Sequence, residues 1–134
     1  METKGSVQLK RAYVPAAPAD GYRVLVERLW PRGLRKDMAR LDEWLKEVAP
    51  SDALRKWFGH DPARFREFRD RYLHELQEPA AEKALDELVR RVAHERVTLV
   101  YAAHDEEHNS ALVLASVLET RLERLAPDPR LRSK

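Results

Sequence analysis

The sequence predicts an α/β fold: a small sheet with parallel central strands flanked by helices, and a helical excursion between the second and last strands. Three observations carry this expectation. Tyr22 to Trp30 and Val97 to Ala102 are apolar on both faces, as strands in the middle of a parallel sheet are. Between them apolar residues recur every three or four positions, the period of a helix. A strand, a long crossover and a second strand buried on both faces is how parallel neighbours are joined.

Each element has its own signal. Val7, Leu9, Arg11 and Tyr13 alternate with Gln8, Lys10 and Ala12, which predicts a first strand with one wetter face. Prolines and an Asp-Gly pair make Pro15 to Gly21 a loop. The second strand is expected to run to Trp30, because Pro31 has no N–H for a ladder and Gly33 permits a turn. From Asp37, the spacing of Met38, Leu41, Leu45 and Val48 predicts a helix that Pro50 ends.

Ser51 reads as the N-cap of a short helix carrying Leu54, Trp57 and Phe58 and stopped by Gly59. Asp61-Pro62 opens a third helix with the stripe Phe65, Phe68, Tyr72 and Leu76. Pro79 separates it from a fourth, striped by Leu85, Leu88, Val89 and Val92. After the strand ending at Ala102 and the polar loop Ala103 to Glu107, a long helix is expected from about His108 to Leu125. Residues 1–126 are read as one domain, and the basic tail 127–134, which follows Pro127-Asp128-Pro129, as a frayed end.

Composition narrows the function. A chain of 134 residues with 43% hydrophobic side chains can bury a core without staples. It has no cysteine, which excludes disulfides, thiolate nucleophiles and cysteine metal sites and suits a reducing compartment. No apolar run has signal-peptide or membrane-spanning length, so the expected location is the cytoplasm. A net charge of only +2 is weak attraction for nucleic acid. With four glycines and neither G-x-G-x-x-G nor a P-loop, kinase, ATPase and dinucleotide chemistry drop out. Ser51 and Ser110 lack the glycine-flanked elbow of a serine hydrolase.

If the two buried strands are neighbours, their carboxyl ends bring Arg28 to Gly33 beside His104 to Asn109, where α/β sheets bind ligands. Arg28 and Arg32 carry fixed positive charge in planar donor forks, and Asn109 stands at the start of a helix whose free N–H groups favour an anion. A small phosphate or carboxylate ligand is the expectation, with the alternative that Arg28 pairs with Glu27, Asp105 or Glu106 and only fixes the loops. Glu27 lies in an apolar strand, where burial raises a carboxyl toward general acid or base use; a buried Glu27 to arginine pair is the plainer option.

His108 is the second acid or base candidate, and Trp30, His60 and His104 are expected to line the pocket, Trp30 serving either as a stacking platform or as core. His104-Asp105-Glu106-Glu107-His108 differs from the His-Glu-x-x-His metal pattern, because Asp105 follows the first histidine and the segment precedes a helix. No metal is expected, and no cofactor is implied.

Two other functions compete. Arg35, Arg40, Arg64, Arg66, Arg69 and Arg71 would serve a nucleic-acid-binding or regulatory module, unless Asp42, Glu43, Glu67 and Asp70 simply balance them on solvated faces. The aromatic stripe of the third helix would serve an oligomer interface, unless it packs in the core.

Three runs carry a resemblance: Val24 to Leu34 with Glu27-Arg28-Leu29-Trp30-Pro31-Arg32-Gly33, then Trp57-Phe58-Gly59-His60-Asp61-Pro62, then Tyr101 to Asn109. In this order and over nearly the whole chain they resemble the YeaO-like family of bacterial proteins. The family pattern commonly has aspartate where Glu27 stands and lysine where His104 stands, which argues against His104 as an obligatory catalyst. The resemblance implies a compact bacterial α/β domain and no assigned reaction, substrate or cofactor. A looser likeness to rhodanese and cysteine-phosphatase sites requires a catalytic cysteine that this chain lacks.

Overall fold

Four parallel strands form one sheet in the order β1-β4-β2-β3, comprising Ser6–Arg11 (β1), Tyr22–Leu25 (β2), Glu43–Trp44 (β3) and Arg96–Tyr101 (β4). The structure is a computed structural model and describes residues 5–125. Its helices are Lys36–Ala39 (α1), Asp52–Phe58 (α2), Phe65–Glu75 (α3), Pro79–Val92 (α4) and Ser110–Leu125 (α5). The neighbouring parallel pair expected from the sequence is β2 and β4, with Val24 opposite Leu99. The wetter first strand takes the edge beyond β4, with Leu9 opposite Leu99. The tail 127–134 lies outside the described residues.

Strand alternation divides the apolar residues between two faces. Leu9, Leu99 and Val24 share one face, which packs on Leu85, Leu88 and Val92 of α4 and Ala111, Leu114 and Leu118 of α5 in the main core. Val100 and Leu25 point the other way with Ala12, under a thinner cover of Trp30, Leu34, Leu41 and Trp44. Phe68 and Tyr72 of the α3 stripe belong to the main core, so the stripe is not a free surface. Among the described residues no helix is long and apolar enough to cross a membrane.

Three elements differ from expectation. The helix expected over Asp37 to Val48 is only the single turn α1, followed by strand β3. Arg40 takes a left-handed φ of 48° and ends the turn. The extended chain then bonds along β2, with the Asp42 N–H donating to the Arg23 carbonyl at 2.8 Å and the Leu45 N–H to the Leu25 carbonyl at 2.9 Å. The helical spacing was coincidental: Met38 is 62% exposed, while Leu41 and Leu45 pack in different clusters. Edge pairing overrode the apolar period.

The second strand also ends earlier than Trp30. Its last ladder bond runs from the Val26 N–H to the Val100 carbonyl at 3.1 Å. Beyond it, the Ala102 N–H donates to the Glu27 carboxylate at 2.9 Å. A side chain thus replaces the next backbone acceptor, and the strands diverge. The long helix starts at Ser110 rather than about His108, because the Asn109 Oδ1 accepts from the Leu112 N–H at 2.9 Å as an N-cap. The caps expected at Ser51 and Asp61 are present, accepting from the Leu54 and Ala63 N–H groups.

Opposite the main core, Asp20 and Arg23 are buried at 1% and 4% exposure. Asp20 accepts from Arg23 at 2.6 Å, from Lys10 at 3.0 Å and from the Ala17 N–H at 3.0 Å. Arg23 also donates to the carbonyls of Ala39 and Arg40. Gly21, which follows Asp20, has φ +67°, and a Cβ there would lie 2.4 Å from the Arg96 carbonyl oxygen. Gly21→Ala should therefore cost about 3 kcal/mol in urea denaturation, through left-handed strain plus overlap with backbone. A loss within about 0.5 kcal/mol of zero would show that the turn relaxes freely.

Candidate functional site

Where β2 and β4 diverge, the chain leaves a cleft of about 670 Å³, within the range of small-molecule sites. One wall is Glu27 to Arg32 after β2; another is Ala102 to Asp105 after β4; Asn109 and Ser110 bring the start of α5. Arg55 and Phe58 of α2, His60 of the connection that follows and Phe68 of α3 close it on the helical side, and Tyr13 stands on the side of β1. The two sequence segments expected to meet do meet, at the carboxyl ends of adjacent parallel strands.

Each expected residue has a definite place. Arg28 lines the cleft but spends two donors on backbone: Nε on the Pro50 carbonyl at 3.0 Å and Nη2 on the Ala49 carbonyl at 2.9 Å. It pairs with none of Glu27, Asp105 or Glu106 among the described ion pairs and anchors the approach to α2 instead. Arg32 lines the cleft and is exposed, while its carbonyl accepts from the Tyr13 hydroxyl at 2.8 Å. Asn109 is 3% exposed, and both ends of its amide are engaged: Oδ1 caps α5 and Nδ2 donates to the Asp105 carbonyl at 2.8 Å. Its side chain holds the loop more than it offers donors to a ligand.

Trp30 serves the packing and the cleft together. Its ring meets Trp44 edge-on at 5.5 Å, and its Nε1–H donates to the Leu34 carbonyl at 2.7 Å, which leaves part of the ring on the cleft wall. His60 and His104 also line the cleft. His60 has a left-handed φ of 59°, and the Nδ1 of His104 lies 3.2 Å from Arg11 Nη2. His108 does not line it. Its ring packs edge-on to Phe65 at 5.3 Å and its Nδ1 lies 2.9 Å from Asp105, so the acid and base candidates Glu27 and His108 do not share the cavity.

Asp105 orders this loop. Its Oδ1 accepts from the N–H groups of Glu107 at 2.8 Å and His108 at 3.1 Å. The Glu107 N–H first, and the His108 ring with it, hold its carboxyl below the usual range against a smaller opposing effect of burial. Glu27 is displaced the other way. Burial raises its carboxyl, and the Ala102 N–H and the charge of Arg55 offset only part of that. The Trp44 Nε1–H donates to the Glu27 carbonyl at 2.6 Å, so the residue is fixed through both its backbone and its side chain.

Sequence reading missed Arg55, Tyr13, Phe58 and Phe68. Arg55 matters most, because it brings a third arginine to the cleft from α2, whereas Arg28 and Arg32 share the segment after β2; its one side-chain partner is Asp52 at 3.4 Å, and its buried Nε has no partner. Nothing in the sequence distinguishes it from the other arginines of the helical region. Arg35, Arg64, Arg69 and Arg71 pair locally with Asp37, Asp61, Asp70 and Glu67. Among the described residues, no group of three or more histidine or acidic side chains is placed to hold a metal ion.

Fold and cleft define a small parallel α/β protein with a ligand-sized cavity at its strand ends. The chain belongs to the YeaO-like family, DUF488-N3i, described as the "Inactive DUF488-N3 subclade", which matches residues 6–134. It is 44% identical over 116 residues to the uncharacterized protein YeaO of Escherichia coli (strain K12), covering 86% of this chain and 98% of that one. Uncharacterized proteins of Mycobacterium bovis and Mycobacterium tuberculosis are each 45% identical over 115 residues, covering 86% of this chain and 95% of theirs. No solved structure matches the chain.

Proposed function

We propose that this protein binds a small anion-bearing molecule, a phosphate or carboxylate, in the cleft at its strand ends, and that it binds without turning the molecule over. The observation that carries the reading is the convergence of Arg28 and Arg32 from the segment after β2 and of Arg55 from α2 on one cavity that also contains the start of α5. Fixed guanidinium charge beside a helix N-terminus favours an anion, and the apolar wall from Trp30, Phe58 and Phe68 suits a ligand with an organic body.

Two facts favour binding over catalysis. Glu27 lines the cleft whereas His108 packs against Phe65 outside its lining, and the family's description carries the word inactive. Nucleic acid is the less favoured partner, since Arg64, Arg69 and Arg71 are each paired with a neighbouring carboxylate. A cysteine-free chain fits a cytoplasmic location.

A thermal-shift series with inorganic phosphate and simple carboxylates tests the reading. At about a hundredfold excess over Kd, a true ligand stabilises by about 2.7 kcal/mol, a rise of several degrees. That rise should vanish in Arg32→Ala and in Arg55→Ala. Unchanged melting with every oxyanion, or an equal rise in both variants, would overturn it.

A further inference from the structure

Glu27 shares the cleft with three arginines, and among the described residues it pairs with none of them. The reason is visible in each partner. Arg28 is held by the carbonyls of Ala49 and Pro50, Arg55 reaches toward Asp52, and Arg32 is exposed. One Glu27 oxygen accepts from the Ala102 N–H; the other has no protein donor among the described residues. Glu27 is half-buried, and a carboxylate that neighbouring cations leave unpaired would repel a bare anion brought in by those same cations. The repulsion is relieved if the incoming molecule brings a donor to the free oxygen.

We propose that Glu27 is a ligand-binding residue whose free oxygen accepts a hydrogen bond from an N–H group of the bound molecule. The ligand is then an amine-bearing phosphate or carboxylate, its acidic group toward the arginines and its nitrogen toward Glu27. This specificity rests on the anion-binding reading of the cleft. It also accounts for why the carboxylate and guanidinium groups do not close on each other: each is kept for one end of a ligand of mixed charge. The partial burial of Glu27 adds to the preference, because a charge-assisted bond is worth more where water is scarcer.

Two matched probe pairs test this by calorimetry on the whole protein: O-phosphoethanolamine against ethyl phosphate, and β-alanine against propionate. The amine-bearing member should bind at least about tenfold more tightly, the effect of one charge-assisted hydrogen bond. In Glu27→Gln, whose amide oxygen can still accept from the Ala102 N–H, the ratio should fall to about one. The Ala102 amide signal in NMR supplies a reading that needs no variant: it should move with O-phosphoethanolamine and hold still with ethyl phosphate. Equal binding within each pair, or a preference that survives in Glu27→Gln, would overturn the role of Glu27 and leave the anion site standing. Failure of all four probes to bind would overturn the anion site and this inference together.

Discussion

Asp20→Ala is expected to lower folding stability by about 3–5 kcal/mol, the cost of removing one partner from a buried ion pair. The carboxylate accepts from Arg23, Lys10 and the Ala17 N–H, and Arg23 is buried against the underside of the sheet at 4% exposure. Without Asp20, Arg23 keeps its bonds to the carbonyls of Ala39 and Arg40 but loses its counter-charge. Urea denaturation measures the loss. A change below about 1 kcal/mol would mean that water or Asp42 takes over the role.

The same group predicts an acid dependence. Burial by itself would raise the Asp20 carboxyl, but the Ala17 N–H, Lys10 and Arg23 outweigh it and bring the pKa from 3.8 to about 2. A folded pKa below the unfolded one means that the unfolded chain takes up the proton first. The contribution of Asp20 is therefore complete above about pH 4 and is lost as pH falls through about 2. In Asp20→Ala the stability curve should be flatter across that interval.

Phe68→Ala is expected to cost about 3–5 kcal/mol, as truncations of buried aromatic residues do. Phe68 is 2% exposed and stacks on Phe58 at 4.3 Å and on Tyr72 at 5.7 Å. Tyr72 is pinned in turn by its hydroxyl, which donates to the Val48 carbonyl and whose ionisation burial pushes up. Because Phe68 also lines the cleft, the void left by its ring would join the cleft, and ligand affinity should fall along with stability. Phe65→Ala is the control: Phe65 is only partly buried, so its loss should be about half as large. Equal losses at the two positions would show that α3 is held by its whole aromatic face rather than by the Phe68 stack.

Much of the fold was legible because burial on both faces is a local signal. Val24, Leu25 and Val26, like Val97, Leu99 and Val100, announce central strands without knowledge of their neighbours. The caps at Ser51 and Asp61 were legible for the same reason, since a side-chain oxygen satisfies an N–H two or three residues onward. The segment from Lys36 to Val48 was not. Its apolar spacing suggested a helix, but the backbone of Asp42 and Leu45 bonds to Arg23 and Leu25, residues that no local period identifies.

The site divides in the same way. That Arg28 to Gly33 and His104 to Asn109 meet at strand ends, and that the chain has no cysteine, P-loop or G-x-G-x-x-G run, follow from residue types and order in the chain. Only the tertiary structure turned His108 toward Phe65, spent Asn109 on a cap, tied Arg28 to carbonyls and brought Arg55 into the cleft. The physical reason is that residue type sets what a side chain can bond, whereas the partner it finds depends on which distant backbone groups the fold leaves unsatisfied beside it.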